Sequence, residues 1–192
     1  MTSALEICNA ALGELGLAPI PGIDAEGNDR QRMCARLYHP VRRDSLCRAV
    51  WRWACAEHVL RASGAKDGCG RDRFPLPGDA LRVLGVHQVV EGPWSVQMRA
   101  IMCHSLDGTL KVDLIRDAED LEAAPPQFCR LMVVRLALKL APVLTIGTPL
   151  ELLERLKREA EGIVDAVRPT LAEYREILAQ EIANNLTRRP RG

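Results

Sequence analysis

Four histidines (His39, His58, His87 and His104) and seven cysteines (Cys8, Cys34, Cys47, Cys55, Cys69, Cys103 and Cys129) are the side chains best suited to hold a metal or do covalent chemistry. Cys55 and His58 stand three apart, and Cys103 and His104 adjoin. A structural zinc site needs paired ligands at short spacing in two places, and neither pair has a clear second pair. No two cysteines have C-x-x-C spacing, and no G-x-S-x-G elbow, H-E-x-x-H pair or cysteine-protease signature occurs. Gly64, Gly68 and Gly70 cluster, but no Lys-Ser or Lys-Thr follows them, so they read as a loop tip and not a phosphate cradle. Glu119-Asp120 and Asp113/Asp117 are paired carboxylates. A two-metal centre needs acids converging from buried elements, whereas a strand end and an acidic connector explain these as solvated charge. The expectation is a non-enzymatic protein with no catalytic, cofactor-binding or metal-ligating residues and no cofactor.

The chain has 192 residues, 47% of them hydrophobic, enough for one domain with its own core or one domain carrying a small subdomain. Lys and Arg number 26 and Asp and Glu 25, a net charge of +1. That balance argues against coating nucleic acid through bulk charge, and leaves room for a local basic patch. The longest apolar stretch, Leu131 to Leu144, is interrupted by Arg135, Lys139 and Pro142. It falls short of the ~18 uninterrupted residues of a membrane-spanning helix. The odd cysteine count, and a Met1 that runs straight into a helix-like stretch, read as reduced thiols in a protein made in a cytoplasm.

Periodicity and punctuation predict a mainly α (α+β) fold: helix, helix, small antiparallel sheet, helix, long helix. Residues 1–60 supply N-terminal helices of a bundle and 61–120 an inserted loop and β subdomain. Residues 121–186 supply the C-terminal helices, and 187–192 a flexible basic tail. In the first helix (3–17), Ser3 and Glu6 have capping-box spacing, and Leu5, Cys8, Leu12 and Leu15 share a face. The second (29–50) starts at Asn28 or Asp29 and puts Met33, Leu37 and Val41 on one face. Arg30, Arg32, Arg36, Arg42, Arg43 and Arg48 line the others, and Pro40 should kink or split it. Trp51, Trp53 and Cys55 alternate as in a strand. Strands are expected over Leu81–Val90, Ser95–His104 and Leu110–Arg116, the last two joined by an Asp107-Gly108 hairpin. Pro125 and Pro126 open a helix over 126–144 that is apolar nearly all round. A long helix over 149–186 follows, with Pro169 near its middle.

Five segments in order resemble the tail tubular protein A-like proteins of tailed phages and prophages. Ile7 to Gly16 followed by Pro19-Ile20 resembles that family's N-x-A-L-x-x-L-G helix and x-P-I loop. Cys34 to Asp44, with Leu46 and Arg48, resembles its L-Y-x-P-x-R-D-x-x-L-R stretch. Trp51-Arg52-Trp53-Ala54 falls where the family has H-P-W-N-F-A, with a different spacing. Leu76 to Leu84 is similar to L-P-x-D-x-L-R-V-L, and the helices from Phe128 through Leu140-Ala141 are similar to its ending. The resemblance runs to about residue 180. It implies a structural virion protein at the head-to-tail junction, forming a homo-oligomeric ring of about twelve copies with heterologous contacts. The ring would join the portal protein to the tail nozzle or next connector protein. It would extend the channel through which genomic DNA passes, without sequence-specific binding and without a membrane. Within that picture Ile182, Leu186, Arg188, Arg189 and Arg191 are the expected portal-docking residues, and Val89, Trp94 and Leu106 the expected tail-facing contact.

The competing expectation is a DNA-binding packaging or regulatory module that uses the arginine-rich second helix, with salt-dependent duplex binding as its signature. A third is an enzyme with one unusually reactive cysteine.

Overall fold

In the computed structural model the description covers residues 3–87, 93–145 and 147–167. These hold four helices and two antiparallel three-stranded sheets. Helix makes up 45% and strand 21% of the described residues, so the class is mixed α+β. The described residues divide into two compact units: 3–53 with 118–167, which is helical, and 54–117, which is β. Among the described residues no helix is long and apolar enough to cross a membrane.

In the helical unit, α1 spans Ala4–Glu14. The Ser3 hydroxyl accepts the Glu6 N–H at 3.1 Å, and the Ser3 N–H donates to the Glu6 carboxylate at 2.6 Å. This is the expected reciprocal cap. Gly16, at φ 69°, closes the other end. Its N–H returns to the Gly13 carbonyl at 3.0 Å and that of Leu17 to Leu12 at 2.9 Å, the Schellman pattern that favours glycine. The helix ends three residues before the expected 17 because this turn consumes them.

Helix α2 spans Asp29–Arg48 behind an Asn28–Gln31 capping box. It runs unbroken through Pro40, which is not the expected split. Pro40 and Arg36 are both exposed, so the carbonyl that Pro40 leaves without a donor faces solvent. The opposite face is held by packing against α3 (Pro126–Leu144). The buried face is also rotated from the expected one. Cys34, Tyr38, Val41, Arg42, Ser45 and Leu46 are buried, while Met33 and Leu37 are only partly so.

Beyond α2 the expected strand-like alternation starts late. Arg52–Ala54 form a 3-10 turn. The Trp51 indole N–H donates to the Ser45 carbonyl at 3.0 Å, and Trp51 and Trp53 meet Phe128 edge-on at 5.0 and 5.2 Å. Helix α3 has the predicted bounds, and its buried face packs on α1, α2 and α4 (Leu150–Val167). The expected continuation of the last helix to 186, with Pro169, lies outside the described residues.

The β unit departs furthest from expectation. It holds β1 (Cys55–Arg61), β2 (Asp72–Pro75), β3 (Ala80–Val86), β4 (Ser95–Gln97), β5 (Ala100–Cys103) and β6 (Thr109–Arg116). They form two sheets, ordered β1-β6-β3 and β2-β5-β4. Leu60, Leu110, Val112 and Leu114 from the first share one core with Phe74, Ile101 and Cys103 from the second. The expected 95–104 strand is a hairpin, turning at Met98 and Arg99 between the paired Gln97 and Ala100. The Asp107-Gly108 turn is not a hairpin, because β5 and β6 lie in different sheets. It carries the chain from one to the other, with Gly108 at φ 70°.

Candidate functional site

The β4–β5 hairpin is an unusual piece of chain. Both turn residues have positive φ, 42° at Met98 and 57° at Arg99, the sense a tight I′-type hairpin needs. Glycine and asparagine are the usual residues there. A side chain in this region costs about 1–2 kcal/mol per residue. The Arg99 guanidinium offsets that cost. Its Nη2 donates to the carbonyls of Pro77 (2.8 Å), Gly78 (3.1 Å) and Ala80 (3.3 Å), and the Arg99 carbonyl accepts the Leu76 N–H at 2.9 Å. The hairpin is thereby fixed to the 76–80 segment, itself held by Asp79, whose carbonyl accepts the Asp117 N–H at 2.7 Å.

Fixing the hairpin fixes what it displays. Val96 lies in β4, an edge strand of its sheet, with Trp94 just before it and Met98 in the turn just after it; Trp94, Val96 and Met98 are 41%, 47% and 87% exposed. No charged side chain interrupts residues 93–98, so the edge carries none of the lysines or acids that usually blunt one. Of the expected tail-facing residues, Trp94 is in this row. Leu106, also exposed, sits on the turn between β5 and β6 and is not part of β4. Val89 lies outside the described residues, as do Ile182, Leu186, Arg188, Arg189 and Arg191. Val96 and Met98 were missed, although the uncharged alternating run was there to be read. Arg99 carried no signal, since its partners are main-chain carbonyls about twenty residues upstream.

The arginine-rich face of α2 is less free than its composition suggests. Arg42 is buried, with Nη2 3.3 Å from the Glu119 carboxylate. Arg30 donates to the Ala18 carbonyl at 2.8 Å, Arg32 pairs with Asp29, and Arg48 lies 3.6 Å from Asp44. Asp44 also pairs with Arg135 of α3.

The possible metal pairs separate. Residues 55 and 58 alternate to opposite faces of β1, and Cys103 is buried while its neighbour His104 is exposed. Among the described residues, the group that does converge is Glu57, His87 and Asp113. Cys8 and Cys34, both fully buried, form a hydrogen-bonded thiol pair, and that bond together with burial pushes the Cys8 thiol up. The glycine-rich loop is organised by Asp67, whose Oδ1 accepts the N–H groups of Cys69 and Arg71, both at 2.9 Å. The Arg71 N–H, the Arg71 side chain and the Cys69 N–H hold that carboxyl below its usual range.

No protein-family model matches the chain, and no curated protein matches it.

Proposed function

We propose that this chain is a structural subunit of a head-to-tail adaptor ring, joining a portal to the tail of a virion and extending the DNA channel. The observation that carries the reading is where the motif residues spend their polar groups. Asn9 and Ile20 of the first segment bond to each other through side chain and backbone. Tyr38 and Arg42 of the L-Y-x-P-x-R-D stretch are buried against the helical unit, and its Asp44 pairs with Arg135 and Arg48. The carbonyls of the L-P-G-D-A segment are taken by Arg99 and by the Asp117 N–H. Every one of these groups serves the scaffold. A scaffold with a displayed uncharged edge is what an assembly subunit needs.

In this reading the helical unit is the bundle of the subunit. The basic residues Arg188, Arg189 and Arg191, with Ile182 and Leu186, dock on the portal. The row of Trp94, Val96 and Met98, with Leu106 and Val89, faces the tail nozzle or next connector. Such an edge meets a partner through backbone pairing and alternate side-chain pockets. The near-zero net charge suits a channel wall that must let DNA slide.

The test mixes the full chain with the portal ring of the same genome and images the product by negative stain. A coaxial ring on the portal is the expected result, and its mass gives the copy number. Failure to associate with an intact portal ring, together with salt-dependent duplex binding by the free chain, would replace this reading with that of a DNA-binding module acting through α2.

A further inference from the structure

A second group of side chains in the β unit has nothing to do with the exposed row. The β1–β6 register sets Glu57 directly across from Asp113, and the β6–β3 register sets Gly85 across from Asp113 on the other side. An irregularity between Val83 and Gly85 shifts β3 so that His87, two residues on, reaches the same side of the sheet. The His87 backbone is anchored there, its N–H donating to the Lys111 carbonyl at 2.9 Å. All of this lies on the face opposite Leu110, Val112 and Leu114, which alternate with Lys111 and Asp113 into the shared core.

We propose that Glu57, His87 and Asp113 form a binding site for one divalent first-row transition-metal ion, which ties the three strands of the β1-β6-β3 sheet together. One ligand atom from each residue falls within 4.8 Å of the others. Ligands held about 2.0–2.2 Å from an ion stand roughly 3–4 Å from one another, so a small rotation of the half-exposed Glu57 side chain completes the cage. His87 Nε2 and Asp113 Oδ2 are 2.5 Å apart, and the Glu57 carboxylate is 2.8 Å from the Lys111 ammonium. An ion entering from the Glu57 side would displace that ammonium and part the histidine from the aspartate.

Two observations favour an ion over a finished salt-bridge network. The Asp113 side chain is only 6% exposed. Gly85 leaves space beside it, since a Cβ added there would meet nothing within 4 Å. One imidazole and two carboxylates suit zinc, cobalt, manganese or iron better than calcium or magnesium, which favour all-oxygen sites. Three protein ligands leave the remaining positions to water. The role is structural, and it holds whatever the chain assembles with.

Cobalt(II) is the probe, because its spectrum separates nitrogen and oxygen ligands from the cysteine thiolates also present. The full chain in reducing buffer is titrated calorimetrically and by visible absorption. Wild type is expected to bind one ion per chain, with d–d bands, without thiolate-to-cobalt charge transfer, and with a rise in thermal midpoint. Glu57→Gln, at a half-exposed position that leaves the fold intact, and His87→Gln should each weaken binding about tenfold or more. Lys111→Met should tighten it by freeing Glu57. Absence of binding, a thiolate charge-transfer band, or equal affinity in wild type and Glu57→Gln would each overturn the proposal.

Discussion

Asn9 and Ile20 exchange a pair of hydrogen bonds: the Asn9 Oδ1 accepts the Ile20 N–H at 2.8 Å, and its Nδ2 donates to the Ile20 carbonyl at 3.1 Å. A helix side chain thus satisfies both polar groups of a loop residue whose own side chain is buried. Prolines flank that residue on both sides and supply no donors of their own. Asn9→Ala would strand both backbone groups of Ile20 in a part-buried site, at a cost of about 1–3 kcal/mol. Asn9→Asp keeps the acceptor and loses the donor, and should fall between. Urea midpoints of the three proteins check the order wild type, Asp, Ala. Equal midpoints would mean that water replaces the clamp.

The Met98–Arg99 turn sets stability against display. Met98 is 87% exposed and strained, so Met98→Gly gives up little packing and relieves a conformation that favours glycine. It should stabilise the β unit by up to about 1 kcal/mol. Arg99→Ala should do the opposite, because the left-handed conformation remains while three carbonyl contacts vanish. If the apolar row is a docking edge, Met98→Gly will be the more stable protein and the poorer partner in assembly. Thermal melts and ring assembly on the portal, measured on the same preparations, separate the two effects.

What was legible in the sequence was local. Ser3 with Glu6 and Pro125-Pro126 before an apolar run each announce a helix start within a few residues, and the helices begin there. The partition of six strands into two sheets was not legible. Met98 and Arg99 lack the glycine or asparagine that marks such a turn, while Asp107-Gly108 has that signature and serves a different connection. The buried Arg42 meets Glu119, far along the chain, and the convergence of Glu57, His87 and Asp113 depends on register across three strands. No pattern inside one element reports such facts.

Arg130 is the polar hub of the helical unit. From α3 it donates to Glu159 of α4 through Nε (2.6 Å) and Nη2 (2.9 Å), and to Glu14 of α1 through Nη1 (2.5 Å). Arg155 adds a second contact to Glu14 at 2.9 Å. The Arg130 hydrogen bond is the largest cause holding the Glu14 carboxyl below its ordinary value. A depressed pKa in the folded state means that Glu14 stabilises the fold at neutral pH. That contribution is complete above the unfolded-state value and drains away as pH falls through the lower folded one. Glu14→Gln should therefore be less stable than wild type near neutrality and converge with it in strong acid. Urea midpoints across that range check the convergence, and parallel curves would assign Glu14 a purely steric role.

The cysteines offer a test of the enzymatic alternative. Cys69 is the exposed thiol, on a turn pinned by Asp67, while Cys8, Cys34 and Cys103 are fully buried. Reactivity requires an accessible thiolate. Burial pushes the Cys103 thiol up, and Cys8 is held protonated by its bond to Cys34 and by burial. With a disulfide reagent in native buffer, Cys69 should react first and at the ordinary rate of an exposed thiol. The buried three should wait for unfolding. Cys69→Ser should remove the fast phase and leave the slow one unchanged. A fast phase that outruns a free-thiol peptide, and that survives Cys69→Ser, would instead expose an activated cysteine and reopen the case for catalysis.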